Sequence, residues 1–100
     1  MNPTTRTYQT SVDLDVAVRG EMIGLLNQHL ADSLDLYSQT KQAHWNVKGM
    51  NFIALHKLFD DVAAIVETMV DTVAERVTAL GADAQGTVRM AAPNSTPPDF

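Results

Sequence analysis

Five side chains in this sequence have the types and spacing to bind a transition-metal ion together: His44, His56, Asp60, Asp71 and Glu75. The last four belong to one segment whose apolar residues recur at helical spacing. At about 100° per residue, with His56 taken as zero, Asp60 falls at about 40°. Asp71 then falls at about 60° and Glu75 at about 100°. These four side chains, together with Glu67, therefore share one helix face.

The length of this helix prevents a single copy from gathering all four ligands around one ion. His56 and Asp60 are one turn apart, and Asp71 and Glu75 form a second pair with the same spacing. The rise between Asp60 and Asp71 is roughly 16 Å, whereas metal–ligand bonds are only about 2 Å long. An antiparallel second copy of the helix can place the first pair of one chain opposite the second pair of the other. This two-fold operation generates two equivalent sites, and His44 would complete each of them.

The chemistry of these ligands indicates which metal such a site would hold. Two imidazoles and three carboxylates suit Fe(II), with Mn(II) or Zn(II) as substitutes, better than Cu(I). Carboxylates also stabilise the higher charge of Fe(III), which favours oxidation of iron over its simple retention. Two simpler interpretations remain open at this point. A histidine beside an apolar face is often a packed core residue, and acids four residues apart often line a solvated surface.

Two long helices must position these side chains. The first is predicted to begin after Asp13 or Asp15, acting as N-cap, and to continue to about Val47. The second is predicted from about Phe52 to Leu80.

The turn and the helix ends carry the residues expected there. Gly49 and Gly81 can adopt the left-handed conformation at a helix C-terminus, and Asn51 can cap the second helix. The chain therefore divides into a flexible tail at 1–13, a helical hairpin at 14–81 and a loop at 82–100 that leads to further helices.

Composition narrows the classes of function. The 100 residues include no cysteine, which excludes a disulfide framework and a thiolate metal site. A net charge of −5 argues against a phosphate-binding surface built on charge. No signal peptide and no run of 18 apolar residues is found, so we expect a cytoplasmic protein that does not span a membrane.

A resemblance to a known family rests on two motifs. Residues 41–60 read KQAHWNVKGMNFIALHKLFD, and residues 71–76 read DTVAER. The HW-N-x-x-G pattern, followed by HxxxD and DxxxE at this spacing, closely resembles the Dps-type mini-ferritins, the DNA-protection-during-starvation proteins. The similarity covers roughly residues 15–90.

This resemblance implies an all-α fold, the ferritin-like four-helix bundle, of which the chain supplies the first two long helices. It implies a hollow dodecamer built from two-fold dimers, with ferroxidase sites between subunits. His44, His56 and Asp60 match the ligands from one subunit, and Asp71 and Glu75 match those from its neighbour. The implied reaction oxidises Fe(II), preferentially with hydrogen peroxide, and deposits ferric mineral in the cavity.

The resemblance also assigns two auxiliary residues. Trp45 matches a tryptophan beside the site whose ring can accept an electron, although packing at the helix end is an equal alternative. Lys41, one turn before His44, matches a lysine that pairs with a site carboxylate. Its alternative is an ordinary exposed lysine.

The chain departs from the family pattern in two respects. The third and fourth helices are missing, so we expect either a fragment or a second chain that carries them. Family members that bind DNA often have a lysine-rich tail, whereas the tail before Asp13 has only Arg6. This tail argues against DNA binding through a basic terminus, and a nucleoid location is kept as the alternative to a purely cytoplasmic one. Two alternatives to the ferroxidase follow: a nucleoid-associated DNA-protecting protein, and a helical oligomerisation module with a vestigial site.

Overall fold

The computed structural model describes residues 7–10 and 12–98. Three helices form: α1 at Val16–Asn46, α2 at Phe52–Ala79 and α3 at Val88–Asn94. The described ranges contain no strand, and one isolated bridge pairs Thr7 with Ala82, so the predicted all-α class is confirmed. None of the helices in these ranges combines the length and apolar character that a membrane span needs.

Local residue chemistry sets the two ends of α1 and the turn after it. The carboxylate of Asp15 accepts a hydrogen bond from the backbone N–H of Ala17 at 3.2 Å, as expected of an N-cap. After the last turn, Gly49 takes a φ of +101°, a conformation that L side chains rarely adopt. Asn51 precedes α2 as predicted, but its side chain makes no capping hydrogen bond. The backbone carbonyl of Asn51 accepts instead from Leu55 at 3.0 Å.

The end of α2 is a Schellman motif built on Gly81. This glycine has a φ of +89°, and its N–H donates to the carbonyl of Thr78 at 3.0 Å. The N–H of Ala82 donates to the carbonyl of Val77 at 3.3 Å. These two bonds satisfy carbonyls that the helix leaves unpaired at its end, which confirms the predicted role of this glycine.

Residues 7–10, which fall within the predicted tail, are held against the end of α2. The N–H of Tyr8 donates to the carbonyl of Gly81 at 2.6 Å, and the hydroxyl of Thr10 donates to the carbonyl of Ala79 at 2.6 Å. The guanidinium of Arg19 reaches the carbonyl of Tyr8 at 3.3 Å. Arg6, the tail's only basic residue, lies outside the described residues.

The two long helices pack side by side and antiparallel, within extents of 54 × 24 × 17 Å. The buried apolar side chains on these two helices are small or branched: Ile23, Leu30, Ala31, Ala43, Ala63, Val66 and Val77. One buried apolar cluster joins Ile23, Val77, Leu80 and Ala82 at the end opposite the histidines. The short connection between the helices therefore brings the end of α1 and the start of α2 together.

The hairpin leaves a second apolar flank of α2 uncovered. Its members are exposed by 37 to 64%: Leu58, Val62, Ile65 and Met69. These positions cluster at about 180–240° around the helix, on the reference that places His56 at zero. Two helices do not complete a core, and this flank stays open to further helices or to a second chain.

A short third helix lies inside the segment 82–100, for which the sequence predicts a loop. The hydroxyl of Thr87 caps it by accepting from Met90 N–H at 3.2 Å. Side chains of α1 hold the end of α3: Gln28 donates to the carbonyl of Asn94 at 2.6 Å. Just beyond it, Ser95 donates to the carboxylate of Asp35 at 2.9 Å. These contacts join segments that are far apart in the sequence, so no local pattern predicts them. Pro93 also lies inside the helix, where proline is disfavoured, so the sequence alone favours a loop here.

Replacing Gly81 by alanine should lower the free energy of unfolding by about 2–4 kcal/mol. A Cβ at this position would strain the positive φ and would lie 2.5 Å from the backbone oxygen of Tyr8. Gly49→Ala is the matched control, because Gly49 also has a positive φ but, apart from its two chain neighbours, no described residue comes within 4 Å of the added Cβ. We expect about 1 kcal/mol from the control. Equal losses in urea unfolding would contradict a structural role for the contact with Tyr8.

Candidate metal centre

The turn between α1 and α2 stacks His44 on His56. The ring centroids are 3.7 Å apart, and the planes are inclined by 24°. The side chain of His44 is 11% exposed, so one imidazole is well buried and the other covers it. Their proximity follows from the two helix ends, because His44 lies in the last turn of α1 and His56 in the second turn of α2.

Reciprocal hydrogen bonds fix the tautomer of both rings. The Nδ1 atom of His44 lies 2.6 Å from the carbonyl oxygen of His56, and Nδ1 of His56 lies 2.9 Å from the carbonyl oxygen of His44. A carbonyl oxygen only accepts, so each Nδ1 must carry the proton. In the neutral rings, Nε2 then offers a lone pair, which is the form of imidazole that binds metals.

Asp60 lies one turn after His56 and approaches the same histidine pair. Its Oδ1 atom is 3.9 Å from Nε2 of His44, and its side chain is 56% exposed. A carboxylate and two oriented imidazole nitrogens are donors that suit Fe(II). The chemistry of this half of the proposed ligand set therefore fits iron.

Lys41 is the nearest cation to this carboxylate. Its Nζ atom lies 3.0 Å from Oδ1 of Asp60. The hydrogen bond from Lys41, reinforced by its charge, lowers the pKa of the Asp60 carboxyl, and the same hydrogen bond raises the pKa of Lys41. The ammonium also lies 6.0 Å from the ring centroid of Trp45, whose side chain is 65% exposed. Lys41 is thus paired and half-buried rather than an ordinary surface lysine.

Asp71 and Glu75 do not join this group. Both are exposed on α2, further along the helix than the histidines. Within residues 7–10 and 12–98 of one chain, no three His, Cys, Asp or Glu side chains cluster closely enough to hold a metal ion. Within one chain, His44, His56 and Asp60 therefore lie near one another without forming a metal-binding cluster. Asp71 and Glu75 lie apart from them.

Two contacts at this site were not anticipated from the sequence. Phe52 stacks on His56 with ring centroids 4.9 Å apart, and the hydroxyl of Tyr37 reaches the carboxylate of Glu67 at 3.4 Å. The contact between Phe52 and His56 could have been predicted locally, because aromatic side chains four residues apart on a helix meet on its surface. The second depends on the register between α1 and α2, which no local pattern encodes.

Replacing Lys41 by methionine should raise the pKa of Asp60 towards the value of an ordinary aspartate. The hydrogen bond and the positive charge that stabilise the carboxylate are both removed. Carboxyl ¹³C NMR titration of the two proteins measures this change directly. Lys57→Met is the control, because Lys57 pairs with Asp61 on the same helix instead. An unchanged Asp60 titration in Lys41→Met would contradict the pairing.

The chain is similar to known proteins over most of its length. The family model of the ferritin-like domain matches residues 23–100. The DNA protection during starvation protein of Agrobacterium fabrum is 44% identical over 84 residues, a match that covers 84% of this chain and 52% of that protein.

Solved structures are similar over almost the whole chain. DpsA14 from Streptomyces coelicolor superimposes with a TM-score of 0.87 and 36% identity, covering 97% of this chain and 58% of that one. An archaeal Dps homologue from Halobacterium salinarum gives a TM-score of 0.88 and 28% identity, covering 100% of this chain and 57% of that one. The chain spans about half the length of these relatives.

Proposed function

The chain belongs to the ferritin-like family, among its Dps-type members, and we propose that it oxidises Fe(II), preferentially with hydrogen peroxide. The ferric product is stored as mineral inside a cage of identical subunits. The observation that carries this proposal is the pair of imidazoles anchored through Nδ1, beside the ionised carboxylate of Asp60.

Fe(II) is the substrate of the site. The Nε2 atoms of His44 and His56 and the carboxylate of Asp60 bind it from one chain. Asp71 and Glu75 of a second copy complete the site, because the length of α2 keeps them from reaching it within one chain. Zn(II) and Mn(II) would occupy the same donors as substitutes.

The reaction needs two electrons for each peroxide. Two Fe(II) ions each give one electron, and hydrogen peroxide takes up both electrons and two protons to form two water molecules. Carboxylates from both chains stabilise the Fe(III) product. Delivery of two electrons together avoids the one-electron cleavage of peroxide that releases hydroxyl radical.

Lys41 and Trp45 assist the site from the end of α1. In the absence of iron, the ammonium of Lys41 keeps Asp60 ionised and occupies Oδ1, so an incoming Fe(II) ion competes with this lysine for one carboxylate oxygen. The ring of Trp45 lies beside Lys41, and in this proposal it exchanges an electron with the site.

The proposed assembly is a dodecamer of two-fold dimers. The hairpin at 14–81 supplies the first two helices of each ferritin-like bundle, and further helices, whether in a longer chain or in a second one, cover the apolar flank of α2. We assign the protein to the cytoplasm, where it would meet both iron and peroxide.

Mixing the purified protein with Fe(II) and peroxide tests this function. Absorbance of the ferric product should rise faster than in protein-free solution, and faster with peroxide than with dioxygen. A rate equal to that of the protein-free solution would contradict the proposal.

DNA protection is a second candidate, favoured by the name of the Agrobacterium fabrum relative. The net charge of −5 opposes it, because non-specific DNA binding rests on neutralising phosphates. A gel-shift at low and moderate salt separates the two. No retardation at low salt would exclude DNA binding by this chain.

A further inference from the structure

Three aromatic rings form a continuous stack across the turn. Phe52 lies on His56 with ring centroids 4.9 Å apart and planes inclined by 25°, and His56 lies on His44 at 3.7 Å. Phe52 opens α2, and its N–H donates to the carbonyl of Gly49 at 3.2 Å. It is therefore tied to the turn while its ring stacks on His56.

The orientation of His56 needs this support. Rotation about χ2 of a histidine is broad and roughly two-fold. A half-turn puts Cδ2 where Nδ1 was and Cε1 where Nε2 was, so the ring loses both its hydrogen bond and the direction of Nε2 unless its surroundings hold it. One hydrogen bond, from Nδ1 to the carbonyl of His44, holds the ring in its plane. That carbonyl belongs to the last turn of α1, where no helical N–H is available to pair with it.

We propose that Phe52 is a positioning residue that, by stacking on His56, restrains that ring and so keeps its Nε2 atom directed at the metal. The part that concerns metal binding rests on the proposed function. The part that concerns the ring does not, because it follows from the stack and the hydrogen bond alone.

Nuclear magnetic resonance measures the ring without any metal. Long-range ¹H–¹⁵N spectra recorded at about pH 8 report which ring nitrogen of His56 carries the proton. The wild-type protein should carry its proton on Nδ1. Phe52→Ala should move a substantial fraction to Nε2. Ile53→Ala is the matched control, because its side chain is 73% exposed on the next position of α2.

A second measurement uses Co(II) as the probe, because it binds imidazole without being oxidised by peroxide-free buffer. Its affinity should fall roughly ten-fold in Phe52→Ala, within the range seen when the support of a metal-binding histidine is removed. Phe52→Tyr keeps the aromatic face and should restore both the tautomer and the affinity. Phe52→Leu keeps the apolar volume without the flat aromatic face, so it controls for a loss of folding. Its tautomer fraction and Co(II) affinity should lie between those of the wild-type protein and Phe52→Ala.

The two outcomes separate this proposal from the proposed function. If Phe52→Ala and Phe52→Leu both keep the wild-type tautomer, the positioning role is overturned, whatever the oxidation rate. If the tautomer shifts while the wild-type protein fails to oxidise Fe(II), the positioning role of Phe52 stands and the ferroxidase is refuted.

Discussion

Replacing both His56 and Asp60 by alanine should reduce peroxide-driven Fe(II) oxidation to the rate of the protein-free solution. The double substitution removes one oriented Nε2 atom and the carboxylate that lies 3.9 Å from Nε2 of His44. Loss of a residue that merely supports a metal ligand costs about 10–100-fold, so loss of two ligands should cost at least about 100-fold. Stopped-flow absorbance of the ferric product measures the rate.

A matched double variant controls for general damage to α2. Lys57→Ala with Asp61→Ala removes the two neighbouring side chains, which form an exposed ion pair at 3.4 Å. An exposed pair of this kind contributes little to stability, so this variant should oxidise iron at the wild-type rate. Helix content by circular dichroism should match in both variants. Full activity in the His56 and Asp60 variant would place the oxidation chemistry elsewhere.

Helix boundaries could be predicted from the sequence because nearby residues set them. Asp15 caps α1 through a bond to a residue two positions away, and Gly81 ends α2 through bonds within one turn. The helical face shared by His56 and Asp60 follows equally from the period of the helix. Each of these features is a property of a few consecutive residues.

Features that depend on contact between distant segments could not be predicted in this way. The helix α3 is held by side chains about 60 residues earlier, among them Gln28 and Asp35. The reciprocal bonds between His44 and His56 require the register of two helices across the turn. The two histidines indicated metal binding by their residue type. Only the structure identifies Nε2 as the ring nitrogen with an available lone pair.

The central claim is that each iron site combines His56 and Asp60 of one copy with Asp71 and Glu75 of another. It predicts that two inactive variants restore each other. One variant carries His56→Ala and Asp60→Ala, and the second carries Asp71→Asn and Glu75→Gln. In a mixed dimer, one of the two sites receives an intact half from each chain.

Co-assembly of the two variants in equal amounts tests this claim most directly, with native mass spectrometry to verify that mixed assemblies form. Random pairing makes half of the dimers mixed, so about a quarter of all sites should be intact. We expect peroxide-driven Fe(II) oxidation to return to about a quarter of the wild-type rate, although each variant alone is inactive. Mixed assemblies that stay as inactive as the separate variants would contradict a site shared between two copies.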